Sequence, residues 1–394
     1  MISSADTNPS EVLPVFSDIG IRTVFLVPTE TGMNKSIMDA THPIQEYFLE
    51  FGIHDYKTQE QGNANKIQKK AFFVEEKLLT ETTVSLYRPS TKNGDPRIWI
   101  YGLKRYAIAH NLLAIIVKEK SLFIINCSDK IILNSISNGR NPLFQKLKIS
   151  SDGLTTEARE LLNLLKGIGK SGWVQTLRPG DTGIGYTLET LLGIPENSSK
   201  KPDYKGIEIK SSRLKSKNAQ LFAKVPNWKR SQLKGSYDIL MKHGRFSTES
   251  NRLQINHTIH ANKENSYGLR LEVDYTNNLL RQYCLIAGRR EEDVLWEMDT
   301  LKGALKRKHP QTFWVSTKTR KKGHIEEFLY YEGAYTHTPN IDAFPLLLEA
   351  GDIFVDYLIK QRPNGSADDR GYSFKMKKKN LDALFGNPKI FTLL

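Results

Sequence analysis

The run PDYKGIEIK constrains the local fold more tightly than any other part of the sequence, because its second half alternates strictly between apolar and charged residues. In a β-strand, Ile207 and Ile209 would share the face toward the core. Glu208 and Lys210 would then share the opposite face. Asp203 follows a proline, and a turn or a neighbouring strand can fold it back beside the strand. The pattern therefore predicts two carboxylates and one ammonium group converging on one surface.

That set of side chains suits the hydrolysis of a phosphodiester bond. Mg²⁺ prefers oxygen ligands and keeps several waters, so two carboxylates and a phosphate oxygen fit its coordination. Such an ion polarises phosphorus and lowers the pKa of water. Lys210 could stabilise developing charge or assist deprotonation of the attacking water. The alternative is a solvated strand face on which Glu208 and Lys210 form a surface ion pair, because this spacing also occurs by chance in basic proteins.

The charge of the chain favours a polyanionic partner. Lys and Arg total 57 against 43 Asp and Glu, which gives a net charge of +14 and a pI near 9.4. Nucleic acid is the commonest partner of such a protein, although charge alone is weak support.

The remaining composition argues against several other classes of protein. The two cysteines are far apart and lack zinc-site spacing, so we expect reduced, buried thiols. The polar residues 1–10 do not resemble a secretory signal. The most apolar window, residues 112–125, is interrupted by charged residues and falls short of the ~20 apolar residues that a membrane helix needs. We expect a cytoplasmic protein with no membrane partner.

The order of predicted elements divides the chain in two. Residues 1–150 are predicted to form a β-rich domain, with a helix over residues 36–51 split by Pro43 and a hairpin of residues 84–87 and 97–101. Residues 134–152, rich in Ser, Asn, Gly and Lys, are predicted to be a linker. Residues 151–394 mix helices and strands, which indicates an α/β or α+β domain.

Within residues 151–394 the patterns predict several individual elements. Helices are expected over residues 155–168, 187–192 and 342–350, and strands over residues 206–210, 221–225, 313–316 and 353–359. Thr155 or Thr156 can cap the first of these helices. A hairpin of residues 269–275 and 279–286 should turn at Asn277 and Asn278.

Motifs upstream of the charged strand carry a specific resemblance. Gly172-Trp173 is followed by TGIGYTLETLLG over residues 182–193 and then by PDYKGIEIK. Together they resemble the MvaI/BcnI family of restriction endonucleases, relatives of the MutH mismatch-repair nickase within the PD-(D/E)xK fold. The resemblance is dense over residues 172–210 and fainter at 221–224 and 371–375. It covers roughly the last 220 residues, and the first 150 lie outside it.

The resemblance implies a mixed-sheet, restriction-endonuclease-like PD-(D/E)xK domain that depends on Mg²⁺. Asp203 and Glu208 would be the metal-binding carboxylates, and Lys210 the third catalytic member. Glu189 matches an additional acidic residue on the preceding helix, where it could bind a second metal or water or orient Lys210. The alternative for Glu189 is an exposed helix glutamate.

The resemblance also implies recognition of double-stranded DNA by a C-terminal segment that enters a groove. Side chains suited to bases or phosphates in the matching regions are Lys224, Lys360, Gln361, Arg362, Asp368, Asp369, Arg370 and Lys375. The loop is shorter than in the relatives and lacks their histidines, so the target sequence stays open.

In the N-terminal domain, basic residues interleave with aromatic ones across the predicted hairpin. The candidates for DNA contact are Arg88, Lys92, Arg97, Lys104 and Arg105. The alternative is an ordinary sheet with packed aromatic residues and solvated cations. By analogy alone, this domain could be a B3-like barrel that binds a second copy of the target and activates cleavage.

Three functions follow from these patterns. The first, which the resemblance implies, is a monomeric type II restriction endonuclease that cuts a short, nearly palindromic site of five base pairs such as CC(A/T)GG, with a cognate DNA methyltransferase as its companion. The second is a MutH-like strand-nicking repair enzyme, against which the extra N-terminal domain argues. The third is a DNA-binding protein with an inactive nuclease domain, against which the intact Asp203, Glu208 and Lys210 argue.

Overall fold

The computed structural model describes residues 7–147, 153–195, 201–286 and 288–394, apart from the side chains of Lys92, Arg370 and residues 144–146. Its helices are α1 Pro9–Asp18, α2 Glu30–Lys35, α3 His42–Glu50, α4 Lys130–Ser137, α5 Pro142–Leu147, α6 Thr156–Lys170, α7 Gly183–Leu191, α8 Ser236–His243, α9 Met298–Lys308, α10 Phe344–Glu349 and α11 Asp382–Phe385.

The strands of the N-terminal part are β1 Val24–Leu26, β2 Met38–Asp39, β3 Ile67–Val74, β4 Leu79–Tyr87, β5 Arg97–Ile100, β6 Leu113–Lys118 and β7 Ser121–Asn126. The later strands are β8 Val174–Gln175, β9 Glu208–Arg213, β10 Asn218–Ala223, β11 Arg245–Ser247, β12 Arg252–Ile259, β13 Leu269–Asp274, β14 Leu279–Ile286, β15 Arg289–Glu297, β16 Thr312–Lys322, β17 Ile325–Thr336, β18 Ile353–Gln361, β19 Ala367–Lys377 and β20 Lys389–Thr392.

The N-terminal strands form one seven-stranded sheet in the order β1-β6-β7-β3-β4-β5-β2. All its neighbours are antiparallel except β3 and β7. The predicted hairpin is confirmed, because β4 pairs antiparallel with β5. β1 and β2 are the two ends of this sheet, which is therefore open among the described residues.

The remaining strands form three sheets in a mixed α/β arrangement. A five-stranded sheet has the order β10-β19-β18-β12-β11, and the predicted hairpin of β13 and β14 extends to a third strand, β15. The last sheet runs β20-β17-β16-β9, with β8 paired to β17. In this last sheet β9 lies at an edge and pairs in parallel with β16.

The first helix joins the two parts of the molecule. Phe16 on α1 is fully buried, in the same apolar cluster as Phe344, Leu384 and Phe385 near the C-terminus. The α1 residue Ser17 also donates a hydrogen bond to the carbonyl of Ala383 at 3.1 Å. The apolar core is therefore continuous between the N-terminal and C-terminal parts.

The predicted helix over residues 36–51 is wrong in its first half. Met38 and Asp39 form β2, which pairs with β5, and the helix α3 begins only at His42. Pro43 lies in the first turn of α3, where a proline costs no intrahelical hydrogen bond. The proline therefore marks the start of a helix rather than a break in one.

The predicted linker is also wrong as far as the structure describes it. α4 and α5 occupy most of residues 134–147, with Ile136 and Leu143 fully buried. Asp129 accepts hydrogen bonds from the first amides of α4, and Asn141 accepts one from Leu143 at 3.0 Å. The polar residues that suggested a linker thus include helix caps. Residues 148–152 lie outside the described residues, and the boundary at residue 150 stays a prediction.

The other predicted elements are found with shifted ends. α6 begins after Thr155, whose side chain caps it as expected. α7 begins at Gly183, earlier than predicted, and β9 begins at Glu208 because Gly206 belongs to a turn. In the described residues, no helix combines the length and apolar character needed to cross a membrane.

We predict that Phe16→Ala destabilises the whole protein, because it opens a cavity in the shared core. The expected loss in the free energy of unfolding is about 3–5 kcal/mol. Urea unfolding followed by tryptophan fluorescence would measure it. Glu11→Ala on the exposed side of α1 is the control, and an equally small effect of both changes would contradict the shared core.

Candidate active site

A tight turn brings Asp203 back beside β9. Tyr204 and Ile207 exchange backbone hydrogen bonds of 2.9 and 2.7 Å, while Lys205 and Gly206 between them have positive φ values of 45° and 87°. Positive φ values at both central residues are typical of the two-residue turn whose twist matches that of antiparallel strands. Asp203 Oδ2 then accepts a hydrogen bond from the amide of Ile209 at 3.0 Å.

The predicted alternation along β9 is confirmed. Ile207 and Ile209 are buried in a cluster with residues of α6 and α7. On the other face, Glu208 lies opposite Thr312 and Lys210 lies opposite Trp314 in the parallel register with β16. Glu208 and Lys210 therefore face away from the helices that cover the apolar side of β9.

The structure brings the three main predicted side chains together and adds a fourth. Lys210 Nζ lies 2.6 Å from Glu208 Oε1. Lys308, the last residue of α9, has its Nζ 2.8 Å from Glu208 Oε2 and 3.4 Å from Asp203 Oδ1. Two carboxylates and two ammonium groups thus form one cluster at the edge of the sheet.

Burial dominates the electrostatics of this cluster. The side chain of Glu208 has no exposed surface, and desolvation raises its pKa to about 7 despite the opposing charge of Lys210. Burial also disfavours the charged form of Lys308, but the attraction of Glu208 and Asp203 outweighs it and raises the Lys308 pKa. The adjacent His309 is buried and neutral, and burial lowers its pKa to about 3.

The cluster fits a divalent cation. Each oxygen of Glu208 forms an ion pair with an ammonium group, Oε1 with Lys210 and Oε2 with Lys308. Asp203 offers Oδ1 on the same side, because its Oδ2 is held by the Ile209 amide. Buried carboxylate oxygens that contact only cations are suitable ligands for a hard metal ion such as Mg²⁺.

A second cluster with potential metal ligands lies elsewhere. One ligand atom each from His42, Glu46 and Asp299 falls within 4.8 Å of the others, between α3 and α9. Glu46 also contacts Lys302 at 3.3 Å. This cluster is part of an ion-pair network between the two parts of the molecule, and it is separate from the carboxylates on β9.

Glu189 is half-buried on α7, which packs against β9. A Cβ atom added at Gly185 would lie 3.7 Å from Glu189 Oε1 and 3.8 Å from Ser211 Oγ. By alternation, Ser211 points to the face of β9 opposite Glu208 and Lys210. The role of Glu189 in catalysis stays a prediction.

A basic groove of about 950 Å³ begins at Lys210. Seven lysine and arginine residues line it against two aspartates. The cations are Lys210, Arg213, Lys215, Lys217, Lys375, Lys378 and Lys379, and the aspartates are Asp181 and Asp382. This excess of positive charge suits a polyanion lying beside the carboxylates.

Next to the groove, the five-stranded sheet presents a polar face. Lys375 pairs with Asp356 at 2.7 Å, and Thr258 on β12 donates to the same aspartate at 2.6 Å. Lys360 on β18 lies opposite Gln254, another polar residue of β12. The sequence patterns did not single out the β12 residues, which lie far before the C-terminal segment in the sequence and meet it only because β12 pairs with β18.

The remaining DNA contacts predicted within residues 151–394 differ in the partners to which they bond. Arg362 pairs with Asp368 at 2.8 Å near the turn between β18 and β19. Asp369 accepts a hydrogen bond from Ser236 at 2.5 Å. The Lys224 backbone is bonded to Tyr372 and Trp296, and its side chain is half-buried. The structure does not describe the side chain of Arg370.

In the N-terminal part, three of the predicted DNA contacts bond within the protein: Arg88, Arg97 and, at 3.4 Å from the carbonyl of Asn34, Lys104. Arg88 donates to the carbonyls of Gly94 at 2.8 Å and Gln59 at 3.1 Å. Arg97 is paired with Asp39. Lys104 and Arg105 lie exposed in the turn after β5. The side chain of Lys92 is not among those that the structure describes.

Lys308 is the site residue that sequence patterns missed. Its one local signal is the basic end of α9, Lys306-Arg307-Lys308, which also occurs in many ordinary helices because cations favour helix C-termini. Only the packing of α9 beside β9 distinguishes Lys308 from its neighbours.

The model of the MvaI/BcnI restriction endonuclease family matches residues 162–385, more than half of the chain. A solved structure described as restriction endonuclease MvaI with its cognate DNA substrate is 23% identical, with a TM-score of 0.54, and covers 61% of this chain and 100% of that one. At this identity, the likeness indicates a similar fold.

MvaI in the absence of DNA gives a TM-score of 0.37 at 21% identity, over 62% of this chain and 100% of that one. Comparison with curated protein sequences found no match. The family match confirms the resemblance that the motifs of residues 172–210 carried. The chain belongs to the MvaI/BcnI restriction endonuclease family.

Proposed function

We propose that this protein is a type II restriction endonuclease that hydrolyses double-stranded DNA at a short specific site with Mg²⁺. The observation that carries the proposal is the convergence of Asp203 and Glu208 with Lys210 at the mouth of a basic groove. Family membership supports the reaction class, and this geometry supports the position of the active site.

Asp203 Oδ1 and the Glu208 carboxylate would hold the metal ion. When bound, such an ion supplies charge neutralisation at the scissile phosphate and lowers the pKa of water. The turn at Lys205 and Gly206 fixes Asp203, and the strand pairing of β9 fixes Glu208, so both are ordered before substrate arrives. This preorganisation reduces the cost of assembling the site.

Lys210 would act on the reacting phosphate. Its Nζ is held by Glu208 at 2.6 Å, and its side chain is about a quarter exposed where it lines the groove. An ammonium group in that position can donate to a phosphate oxygen and stabilise the negative charge that develops in the transition state. We propose Glu189 as a supporting acidic residue that acts from α7.

The groove and the polar face of the five-stranded sheet would bind DNA. Exposed Lys215, Lys217 and Lys379 suit phosphate contacts, which hold the duplex without reading its sequence. Lys360 and Lys375, with Asp356 and Gln254 beside them, suit base edges. A short, nearly palindromic target such as CC(A/T)GG remains the proposed site, cut by a monomer and protected by a companion methyltransferase.

Plasmid cleavage with Mg²⁺ distinguishes this proposal from its alternatives. Discrete linear fragments support a restriction endonuclease. Nicked circles alone would indicate a MutH-like strand-nicking enzyme, and DNA that shifts in a gel without being cut would indicate an inactive binding protein. Sequencing the fragment ends would identify the target and the position of the cut.

We predict that Asp203→Ala abolishes cleavage while DNA binding largely persists, because the change removes a metal ligand but no groove cation. Plasmid cleavage and gel-shift affinity on the same preparation would measure both effects. Glu160→Gln is the matched control, since it removes an exposed carboxylate paired with Lys205 in the same turn. Cleavage by Asp203→Ala at the wild-type rate would show that the active site lies elsewhere.

We predict that the double change of Lys217 and Lys379 to Ala weakens DNA binding equally for all sequences. The slope of log affinity against log salt concentration should fall by about two, because two phosphate contacts are lost. Lys306→Ala, an exposed lysine on α9 outside the groove, is the control for net charge. An unchanged salt slope would show that DNA does not lie in this groove.

We propose that the N-terminal sheet binds a second DNA duplex, as a B3-like effector domain would. Lys104 and Arg105 are the exposed candidates for this contact. Deletion of residues 1–150 would remove α1 from the shared core, so point changes give a cleaner test.

We predict that changing Lys104 and Arg105 to Glu removes any stimulation of cleavage by added target oligonucleotide and leaves unstimulated cleavage intact. The measurement is the cleavage rate of a single-site plasmid with and without the oligonucleotide. Stimulation of the double variant equal to that of the wild type would contradict a role for this turn.

A further inference from the structure

Lys308 occupies the space between the two proposed metal ligands. Its Nζ is 2.8 Å from Glu208 Oε2 and 3.4 Å from Asp203 Oδ1, and it also lies 3.2 Å from the carbonyl oxygen of Lys201. Lys210, in contrast, contacts Glu208 from the same strand. Lys308 is therefore the cation that bridges the two carboxylates in the described structure.

The packing of α9 fixes the backbone of Lys308. Leu301 and Leu305 on this helix are fully buried. The amide of His309 bonds to the carbonyl of Leu305 at 3.0 Å, and the His309 ring bonds to Leu221 O and Thr312 Oγ1 at 2.6 and 2.9 Å. The four-carbon side chain of Lys308 remains the adjustable part, with under a fifth of its surface exposed.

With Glu208 ionised, the charges of the cluster balance without a metal ion. Asp203 and Glu208 then contribute two negative charges, and Lys210 and Lys308 two positive ones. A divalent ion added to this cluster would give a net positive site in a largely buried position, which is costly. An ammonium group that bridges two carboxylates also uses the same oxygen atoms that a hard metal ion needs.

We propose that Lys308 is a competing cation, which holds the metal site closed until DNA arrives. Asp203 and Glu208 would hold a metal ion only after the Lys308 ammonium leaves them, and the phosphate of bound DNA would offer that ammonium a new anionic partner. The protein then binds its metal weakly when free and more tightly on DNA. This inference rests on the proposed function, since it takes Asp203 and Glu208 as the metal ligands.

The test is the affinity of the DNA-free protein for Mn²⁺, measured from the electron paramagnetic resonance signal of unbound Mn²⁺. Lys308→Met keeps the length and apolar stem of the side chain but removes the charge. If the ammonium occupies the site about nine-tenths of the time, its removal tightens Mn²⁺ binding about tenfold. Lys308→Arg keeps the charge and should bind Mn²⁺ about as weakly as the wild type.

Lys306→Met is the matched control, because it removes an exposed charge from the same helix and should leave Mn²⁺ affinity within about twofold of the wild-type value. Equal Mn²⁺ affinity of Lys308→Met and wild type, or weaker binding by Lys308→Met, would overturn the proposal. Thermal unfolding with and without Mn²⁺ gives a second measurement, since tighter binding to the folded state raises the melting temperature further.

The two hypotheses fail in different ways. If the wild-type protein cuts plasmid DNA but Lys308→Met shows no gain in Mn²⁺ affinity, the gating role of Lys308 is wrong and the proposed function stands. If Asp203→Ala binds Mn²⁺ as tightly as the wild type and still cuts DNA, the metal site itself is wrong, and the inference about Lys308 is lost with it.

Discussion

The hydrogen bond from the Ile209 amide to Asp203 is the contact on which the site depends. It holds the turn of residues 204–207 against the start of β9, so that Asp203 stands beside Glu208 instead of pointing into solvent. A glycine at the second central position makes this turn accessible, because its φ of 87° is strained for any residue with a side chain. Without that turn, Glu208 and Lys210 would form an ordinary ion pair at the edge of a sheet.

The same strand connects the site to the fold. One face of β9 packs Ile207 and Ile209 under α6 and α7, and the other faces α9 and the basic groove. Burial makes the charged form of Glu208 costly, and the raised pKa of about 7 reflects that cost. A buried carboxylate between two lysines is expensive for stability alone, which fits a position kept for chemistry at the proposed metal site.

Sequence patterns predicted those features of the structure that depend on residues close together in the chain. The alternation around Glu208 and the cap at Thr155 follow from neighbouring residues, and both are found in the structure. Lys308 was not predictable, because it reaches Asp203 only through the packing of α9, and sequence patterns carry no information on that contact. The helices within residues 134–147 were not predictable for a related reason: helix caps and linkers have the same polar composition, and only the buried Ile136 and Leu143 distinguish them.

The N-terminal part is more closely integrated than a tethered domain. α1 shares a core with α11, and Phe385 of α11 contacts His309 and Trp314 near the proposed site. Arg22 also pairs with Asp342 at 2.8 Å. Substitutions at this interface can therefore affect the proposed active site through the packed side chains between them.

The central claim is that Asp203 and Glu208 together bind one metal ion. Its most direct test is anomalous diffraction from crystals of the DNA complex grown with Mn²⁺. If the two carboxylates share a metal ion, a manganese peak lies within coordinating distance of oxygens of both Asp203 and Glu208, with Lys308 displaced from them. A peak at His42, Glu46 and Asp299 instead, or Lys308 still bridging the two carboxylates without a metal ion, would contradict it.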